Sequence, residues 1–397
     1  MFFHESQYYR IYKVYDIITN GDEMKKMIVL TLLALLSFSG CTQEKKLTKF
    51  SNQTVEAGFD TVMTLIGYTE SQSSFDNYFE LMKTEYTRLN QLYDKYNDYA
   101  GVNNIKTIND NAGKQAVKVD KDIIDMLLLA RTWTDPSKGS FNITLGAVLE
   151  IWHNYRTIGQ SMNQEGLAGD VPEMSVLQAA NQFTGWQYVV IDETASTVFL
   201  TNAGTRLDVG GIGKGFATEI VAQKLEAAGL ASGIVNGGGN VRIIGKKPTG
   251  EKWGVGIQAP DPTMTADSLD TLYTDHSMSV VTSGDYQRYY LGPDGIVLHH
   301  LIDPSTLMPA TQARSVTIMI KNSGLADALA KPLYILPYAE AIQFLNDYNT
   351  AHPDDFMGAV WVYDLGKQPV GIAGKTVGNF YLIYSENIKQ YSRLNTN

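Results

Sequence analysis

Three glycine-rich stretches and one histidine pair hold the residues best suited to chemistry. Residues 207–220 read LDVGGIGKGFATEI: a β-like run ends at Asp208, glycines turn the chain, and a helix starts near Lys214. A strand–glycine–helix junction of this kind aims backbone N–H groups at one spot and favours an anion there; it serves equally well as a tight structural turn. Lys214 is followed by Gly215 instead of Ser or Thr, so this is not a P-loop, and Phe216 stands where a dinucleotide fingerprint needs its third glycine. Residues 234–245, IVNGGGNVRIIG, set three consecutive glycines between β-branched runs, as a bulge or a tightly crossing strand would. In residues 281–290, VTSGDYQRYY, Ser283 and Asp285 flank a glycine that breaks an apolar run, and they either face a ligand or make a hairpin turn.

The histidines lie in LHHLIDPSTLMP, residues 298–309. His299 and His300 fall on an expected strand, so their side chains point to opposite faces and at most one of them faces a given site. A histidine near neutral pKa is a natural general base for a hydroxyl; it is also a common core or surface residue. Asp303 precedes Pro304, which favours a turn. No histidine pair has zinc-ligand spacing and no G-x-S-x-G elbow occurs, which argues against a zinc enzyme or a serine hydrolase. In SGLADALAKPLYIL, residues 323–336, Ser323 reads as an N-cap and Asp327 lies one turn before Lys331. That pair is either an exposed salt bridge worth ~0.3–0.5 kcal/mol or a carboxylate for a hard cation, which needs oxygen ligands.

These stretches need a frame. Residues 59–68, FDTVMTLIGY, are β-rich and read as a strand. Phe75, Phe79, Met82, Tyr86, Leu89 and Tyr93 recur at helical spacing behind Ser73 or Ser74 as N-cap. Residues 97–113, rich in Asn, Asp and Gly, read as a loop, and Asp120 caps a second helix carrying Ile123, Ile124, Leu127, Leu128 and Trp133. Residues 186–202 form paired strands around a turn at Glu193-Thr194, and further helices are expected at 214–228 and 337–348. Strands and helices mix throughout without a repeat, which fits an α+β fold.

The chain has 397 residues, 44% hydrophobic and 19% charged, a globular composition able to form a sizeable core. At ~150 residues per domain, length allows two or three units or one large two-lobed domain. A net charge of −10 leaves no basic footprint for nucleic acid, so an anionic ligand would need N–H groups, a lysine or a metal. The lone cysteine, Cys41, excludes internal disulfides and cysteine zinc sites. It closes a segment ordered as a secretory signal: Lys25 and Lys26, an apolar run over 27–38, then Ser39-Gly40. That run is too short for a bilayer span, which takes ~20 residues. A cysteine directly after it marks a lipoprotein signal, with Phe38 a less usual residue at its place in the lipobox. Met24 reads as the true start, residues 41–53 as a polar tether and residues 54–397 as the folded domain. Residues 1–40 carry four basic and four acidic side chains, so their removal leaves the charge at −10.

In order along the chain, FDTVMTLIGY (59–68), KYNDYAGVNNIKTIN (95–109), GSFNITLGAVLEIW (139–152), LDVGGIGKGFA (207–217), NGGGNVRIIG (236–245), VTSGDYQRYY (281–290), HHLIDPSTLMPA (299–310) and SVTIMIKNSGLADALA (315–330) resemble a known family. It is the FAD:protein FMN transferases, the ApbE family of flavin transferases. The resemblance covers roughly residues 55–365, behind a lipoprotein signal that many members share. It implies an α+β fold with a flavin cleft and a reaction that splits FAD at its pyrophosphate. FMN is joined through its phosphate to a threonine or serine hydroxyl of an acceptor protein, and AMP leaves. Catalysis of such a transfer is mostly positioning and charge neutralisation. By position, the resemblance puts FAD contacts on Asp60, Tyr96, Ser140, Phe141, Asn142, Asp208, Lys214 and Leu301. Magnesium ligands fall on the Gly211 carbonyl and the Asp327 side chain. His300 is the candidate base, with Asp303 near it. The enzyme would be lipidated at Cys41 and held on the extracytoplasmic face of the cell membrane.

Three positions depart from the family pattern. Asn142 stands where the family usually shows Asp, keeping hydrogen bonds but no charge. Lys331 stands where the family usually has a metal-ligating threonine; a protonated lysine offers no lone pair and repels a cation, so weak magnesium binding is expected. Pro332 follows, where the family has alanine, and is expected to kink or end the helix. The alternative to an active transferase is a flavin-binding lipoprotein or FAD pyrophosphatase with impaired transfer.

Overall fold

Nine antiparallel strands make the central sheet, in the order Thr48–Thr54, Met63–Thr69, Gly233–Gly237, Asn240–Ile244, Ser279–Gly284, Ser315–Ile320, Gly358–Asp364, Phe380–Tyr384 and Lys375–Val377. The computed structural model describes residues 46–261 and 268–396, and from Leu47 onward the chain packs as one unit. Met24, Cys41 and the signal-like segment lie outside the described residues. Among the described residues no helix is long and apolar enough to cross a membrane.

Ser315–Ile320 is buried at every position. Val316, Ile318 and Ile320 join one core with Ala326, Leu329 and Leu333 of the Ser323–Ile335 helix, while Met319 joins another with Val360, Leu382 and Ile388. A strand covered on both faces needs no polar alternation, and SVTIMI shows little. The helix Gln72–Tyr93 buries the expected stripe from Phe75 to Tyr93, and Tyr86 donates its hydroxyl proton to Thr218 in helix Gly213–Ala227 at 2.8 Å. That second helix is tied in turn to Ser323–Ile335: the Glu219 carboxylate accepts from the Ser323 N–H at 2.7 Å and from Arg242 at 3.2 Å. On the far side of the sheet, the hairpin of Trp253–Ile257 and Asp270–Thr274 carries a fully buried carboxylate, Asp270. It accepts from the hydroxyls of Tyr384 at 2.9 Å and Ser392 at 2.6 Å, fastening the C-terminal residues to the body.

Several expectations change. Thr48–Thr54, read as tether up to Gln53, is an edge strand paired residue for residue with Met63–Thr69; polar, exposed side chains suit an open edge and imitate a linker in composition. The strand read over 59–68 begins only at Met63, because Phe59 and Asp60 have φ of 59° and 50°, outside the β region. Ser71, not Ser73 or Ser74, caps the first long helix, its hydroxyl accepting from the Ser74 N–H. Inside the expected loop 97–113, a reciprocal capping box of Asn104 and Thr107 starts a short helix, Ile105–Asp110. Gly238 and Gly239, with φ of 61° and 90°, form a two-residue hairpin turn, not a bulge or crossing strand. Asn322 rather than Ser323 caps the Ser323–Ile335 helix, and that helix runs through Pro332 without ending there. The paired strands Val189–Asp192 and Thr197–Leu200, the Asp120 cap, and the helices Gly213–Ala227 and Tyr338–Ala351 fall where expected, to within a turn.

Candidate active site

The glycine-rich junction forms one wall of a cleft of about 760 Å³, which is also lined by the Gly238-Gly239 turn and by residues 282–284 and 286–288. The chain enters the junction under tight control. Asn109 brackets Leu207 with two backbone hydrogen bonds, of 3.0 and 2.8 Å, and the Asp208 N–H donates to the Ile143 carbonyl at 2.8 Å. The Asp208 carboxylate then accepts from the Gly210 N–H at 2.9 Å and ion-pairs with Lys95 at 2.6 Å. Burial pushes its pKa up, but the Lys95 charge and these hydrogen bonds outweigh that and hold it below the usual range. The helix that follows has no side-chain N-cap. Lys214 in its first turn is driven down to about 8, by burial first and then by the neighbouring charges of Arg288 and Lys331, with Asp327 opposing.

Gly215 explains how that helix approaches its neighbour. A Cβ there would lie 2.3 Å from the Ser323 carbonyl oxygen and 2.4 Å from the Asp327 Cβ. With no Cβ, the Gly215 N–H reaches Asp327 Oδ2 at 2.8 Å. The other carboxylate oxygen, Oδ1, is ion-paired with the Lys331 ammonium, which also donates to the Asp327 backbone carbonyl at 2.9 Å. Gly211 faces the same lysine: a Cβ on it would be 3.4 Å from Lys331 Cε.

Of the positions expected to contact flavin, Asp60, Tyr96, Ser140, Phe141, Asn142, Asp208, Lys214 and Leu301 all line this one cleft, as do Gly211, Asp327 and His300. Asp60 is held there by a left-handed loop, in which the Phe59 N–H donates to Asn90 Oδ1 at 2.8 Å. The Tyr96 ring lies 4.9 Å from the His153 ring, with Lys95 over its face. Asn142 uses its side-chain carbonyl on the N–H and hydroxyl of Thr144, so its polar end shapes the local turn. The histidine pair divides as the strand alternation requires. His299 bonds the Ala310 carbonyl and the Leu301 N–H and is buried at a pKa of about 4, chiefly by burial. His300, one residue past the strand Val297–His299, lines the cleft; its Nδ1 is buried without a hydrogen-bond partner among the described residues. Burial, then the Arg288 charge, hold it well below the ordinary histidine range.

Asp303 is engaged in its own turn. It does not line the cleft; its Oδ1 accepts from the N–H and hydroxyl of Ser305 in a local turn, at 2.8 and 2.7 Å. That turn occupies the Oδ1 atom of Asp303. Asp285 likewise points away from the cleft, onto Arg314 at 2.7 Å, while Ser283 lines it. Sequence reasoning missed Lys95, His153, Arg156 and Arg288, all on the cleft wall. Lys95 and Arg288 sit inside two of the recognised segments; Arg156 has no local pattern to mark it.

Fold and cleft are those of the flavin transferases. Residues 59–352 match the ApbE family, and the chain belongs to that family. It is 33% identical over 258 residues to an FAD:protein FMN transferase of Treponema pallidum, a match covering 62% of this chain and 68% of that one. It is 30% identical over 243 residues to another from Klebsiella pneumoniae, covering 60% and 71%. Among solved structures, the ApbE protein of Thermotoga maritima superposes with a TM-score of 0.69 at 26% identity, over 87% of this chain and 100% of that one. The flavin transferase ApbE of Vibrio cholerae shares the fold, with a TM-score of 0.65 at 18% identity, over 87% and 99%.

The helix contact at Gly215 can be tested directly. Gly215→Ala forces a methyl group into the Ser323 and Asp327 backbone region, an overpacking that costs roughly 1–3 kcal/mol. The expected outcome is a lower urea midpoint with an unchanged slope; an unchanged midpoint would mean the two helices part freely.

Proposed function

We propose that this chain is an FAD:protein FMN transferase. The observation that carries the reading is one cleft holding both a cation-lined glycine junction and a neutral imidazole, in a chain of the ApbE family. The acceptor hydroxyl oxygen bonds to the FMN-side phosphorus of FAD, and the P–O bond to AMP breaks with its electron pair staying on AMP. The hydroxyl proton passes to His300, which burial keeps unprotonated and ready to receive it. Lys214 supplies charge for the pyrophosphate, and Asp208, neutralised by Lys95, stiffens the glycine turn.

The magnesium ion implied by the family resemblance does not fit the residues as they stand. Magnesium takes near-octahedral oxygen ligands. Both carboxylate oxygens of Asp327 already hold donors, one of them an ammonium, and no group of three or more His, Cys, Asp or Glu is arranged for a metal among the described residues. The partner in this reading is a protein presenting a threonine or serine hydroxyl. The anchor is a lipid on Cys41, with the enzyme on the extracytoplasmic face of the cell membrane; the order of basic residues, apolar run and cysteine supports it.

Mass spectrometry of a threonine-containing acceptor protein, incubated with the chain and FAD, tests the function. Covalent FMN with matching AMP release is expected. Free FMN and AMP alone would make the chain a pyrophosphatase, and no product with or without magnesium would end the reading. His300→Ala should slow transfer by about 10²-fold or more while FAD affinity stays within a few-fold. Binding of FAD favours protonated Lys214, whose pKa is about 8 without ligand, so affinity should fall as pH rises through about 8. Lys214→Met should flatten that slope and weaken binding roughly tenfold, read by flavin fluorescence. Cys41→Ser should shift the protein from the membrane fraction to the soluble one; retention after a high-salt wash would refute the anchor.

A further inference from the structure

We propose that the Lys331 ammonium is the resident cation of this site, standing where a divalent ion would sit between Asp327 and Gly211, so that FMN transfer here needs no metal. The proposal rests on the transferase reading above and assigns the source of positive charge within it.

The geometry is specific. Lys331 lies one turn after Asp327 in the Ser323–Ile335 helix, with its ammonium paired to Oδ1 and bonded to the Asp327 carbonyl at 2.9 Å. Its side chain is only 12% exposed and that of Asp327 only 4%, so the pair is not a solvated surface bridge. The stem runs past Gly211, the other residue expected to ligate metal. A cation arriving from solvent would have to displace this ammonium from Asp327 and then lie beside its charge. It would also compete with the Gly215 N–H for Oδ2, a bond set by the helix crossing and not by a mobile side chain.

The same placement suits the chemistry. An ammonium has three donors, and two of them are committed to Asp327, which leaves one for the cleft that Lys331 lines beside Lys214. As transfer proceeds, the bond from the acceptor oxygen to the FMN phosphorus forms and the bond to AMP breaks. The electron pair and the extra negative charge go to AMP, and the hydroxyl proton goes to the base. Lys331 neither gains nor loses a proton: it supplies fixed positive charge where negative charge develops, the role of a preorganised electrostatic group. Pro332 does not end the helix, so Lys331 stays within Ser323–Ile335.

Two measurements on the full chain decide the matter. In the first, Mn²⁺ binding is followed by electron paramagnetic resonance, with and without FAD. The unmodified chain should bind no stoichiometric Mn²⁺ at millimolar concentration, whereas Lys331→Thr should gain a single site that Asp327→Ala in the same background removes. In the second, acceptor flavinylation is timed in EDTA and in magnesium. The unmodified chain should run within twofold in the two conditions; Lys331→Thr should lose about 10²-fold or more in EDTA and recover with magnesium. Lys331→Arg, which keeps the charge, should retain EDTA-resistant transfer if Lys331→Thr fails to fold. Stoichiometric Mn²⁺ on the unmodified chain, or loss of its transfer in EDTA, overturns the proposal while leaving the transferase reading intact. Absence of transfer under every condition ends the transferase reading instead, and the Mn²⁺ result then judges the resident cation by itself.

Discussion

Two helices can approach closely only where one of them lacks a side chain, and Gly215 leaves that gap opposite Asp327. The distances permit no methyl group, so the approach converts a backbone N–H into a ligand of a buried carboxylate. Everything on the cleft floor inherits its position from that crossing. Lys214 precedes Gly215 and Lys331 follows Asp327 by a turn, so the two ammonium groups face one cavity from neighbouring helices. One turn beyond, Glu219 holds the Ser323 N–H and Arg242, which stops the helices from sliding and ties both to the sheet. Tyr86 and Thr218 fasten the same helix from its other side.

Charge is distributed against the grain of the composition. The whole chain carries −10, yet the cleft gathers Lys95, Arg156, Lys214, Arg288 and Lys331 against Asp60, Asp94, Asp208 and Asp327. An acidic protein thereby presents a locally cationic surface to a phosphate ligand, and the rest of its surface repels polyanions that would compete. Burying these groups has a cost, which the protein meets by pairing. Asp208 has Lys95 and Asp327 has Lys331, while Lys214 has only a long contact of 3.4 Å to the Gly238 carbonyl, and burial lowers its pKa and that of Arg156.

What sequence reveals here follows from how local each cause is. The stripe from Phe75 to Tyr93 and the turn of glycines before Lys214 are properties of short segments, and both were legible. The short helix at Ile105 was not, because asparagine-rich sequence reads as loop unless the capping pair of Asn104 and Thr107 is weighed. Arg156 and Arg288 read as ordinary surface residues until the fold brings them to one wall. Asp303 shows a local cause that sequence does hold: an aspartate before proline bonds its own turn, here through Ser305. Lys331 was legible as a departure from a pattern and as a partner of Asp327 one turn away, but the burial of that pair follows only from the fold.

Asp270 bears on how the fold closes. Its carboxylate is fully buried, and its partners Tyr384 and Ser392 stand 114 and 122 residues further along the chain. The sheet also joins Met63–Thr69 to Gly233–Gly237, and its far side is built from Gly358–Asp364 onward. A buried carboxylate short of partners is strongly destabilising, and pairings this distant in sequence form slowly. The Asp270 hairpin therefore gains its stability only when the segment from Tyr384 to Ser392 docks, which couples one end of the fold to the other.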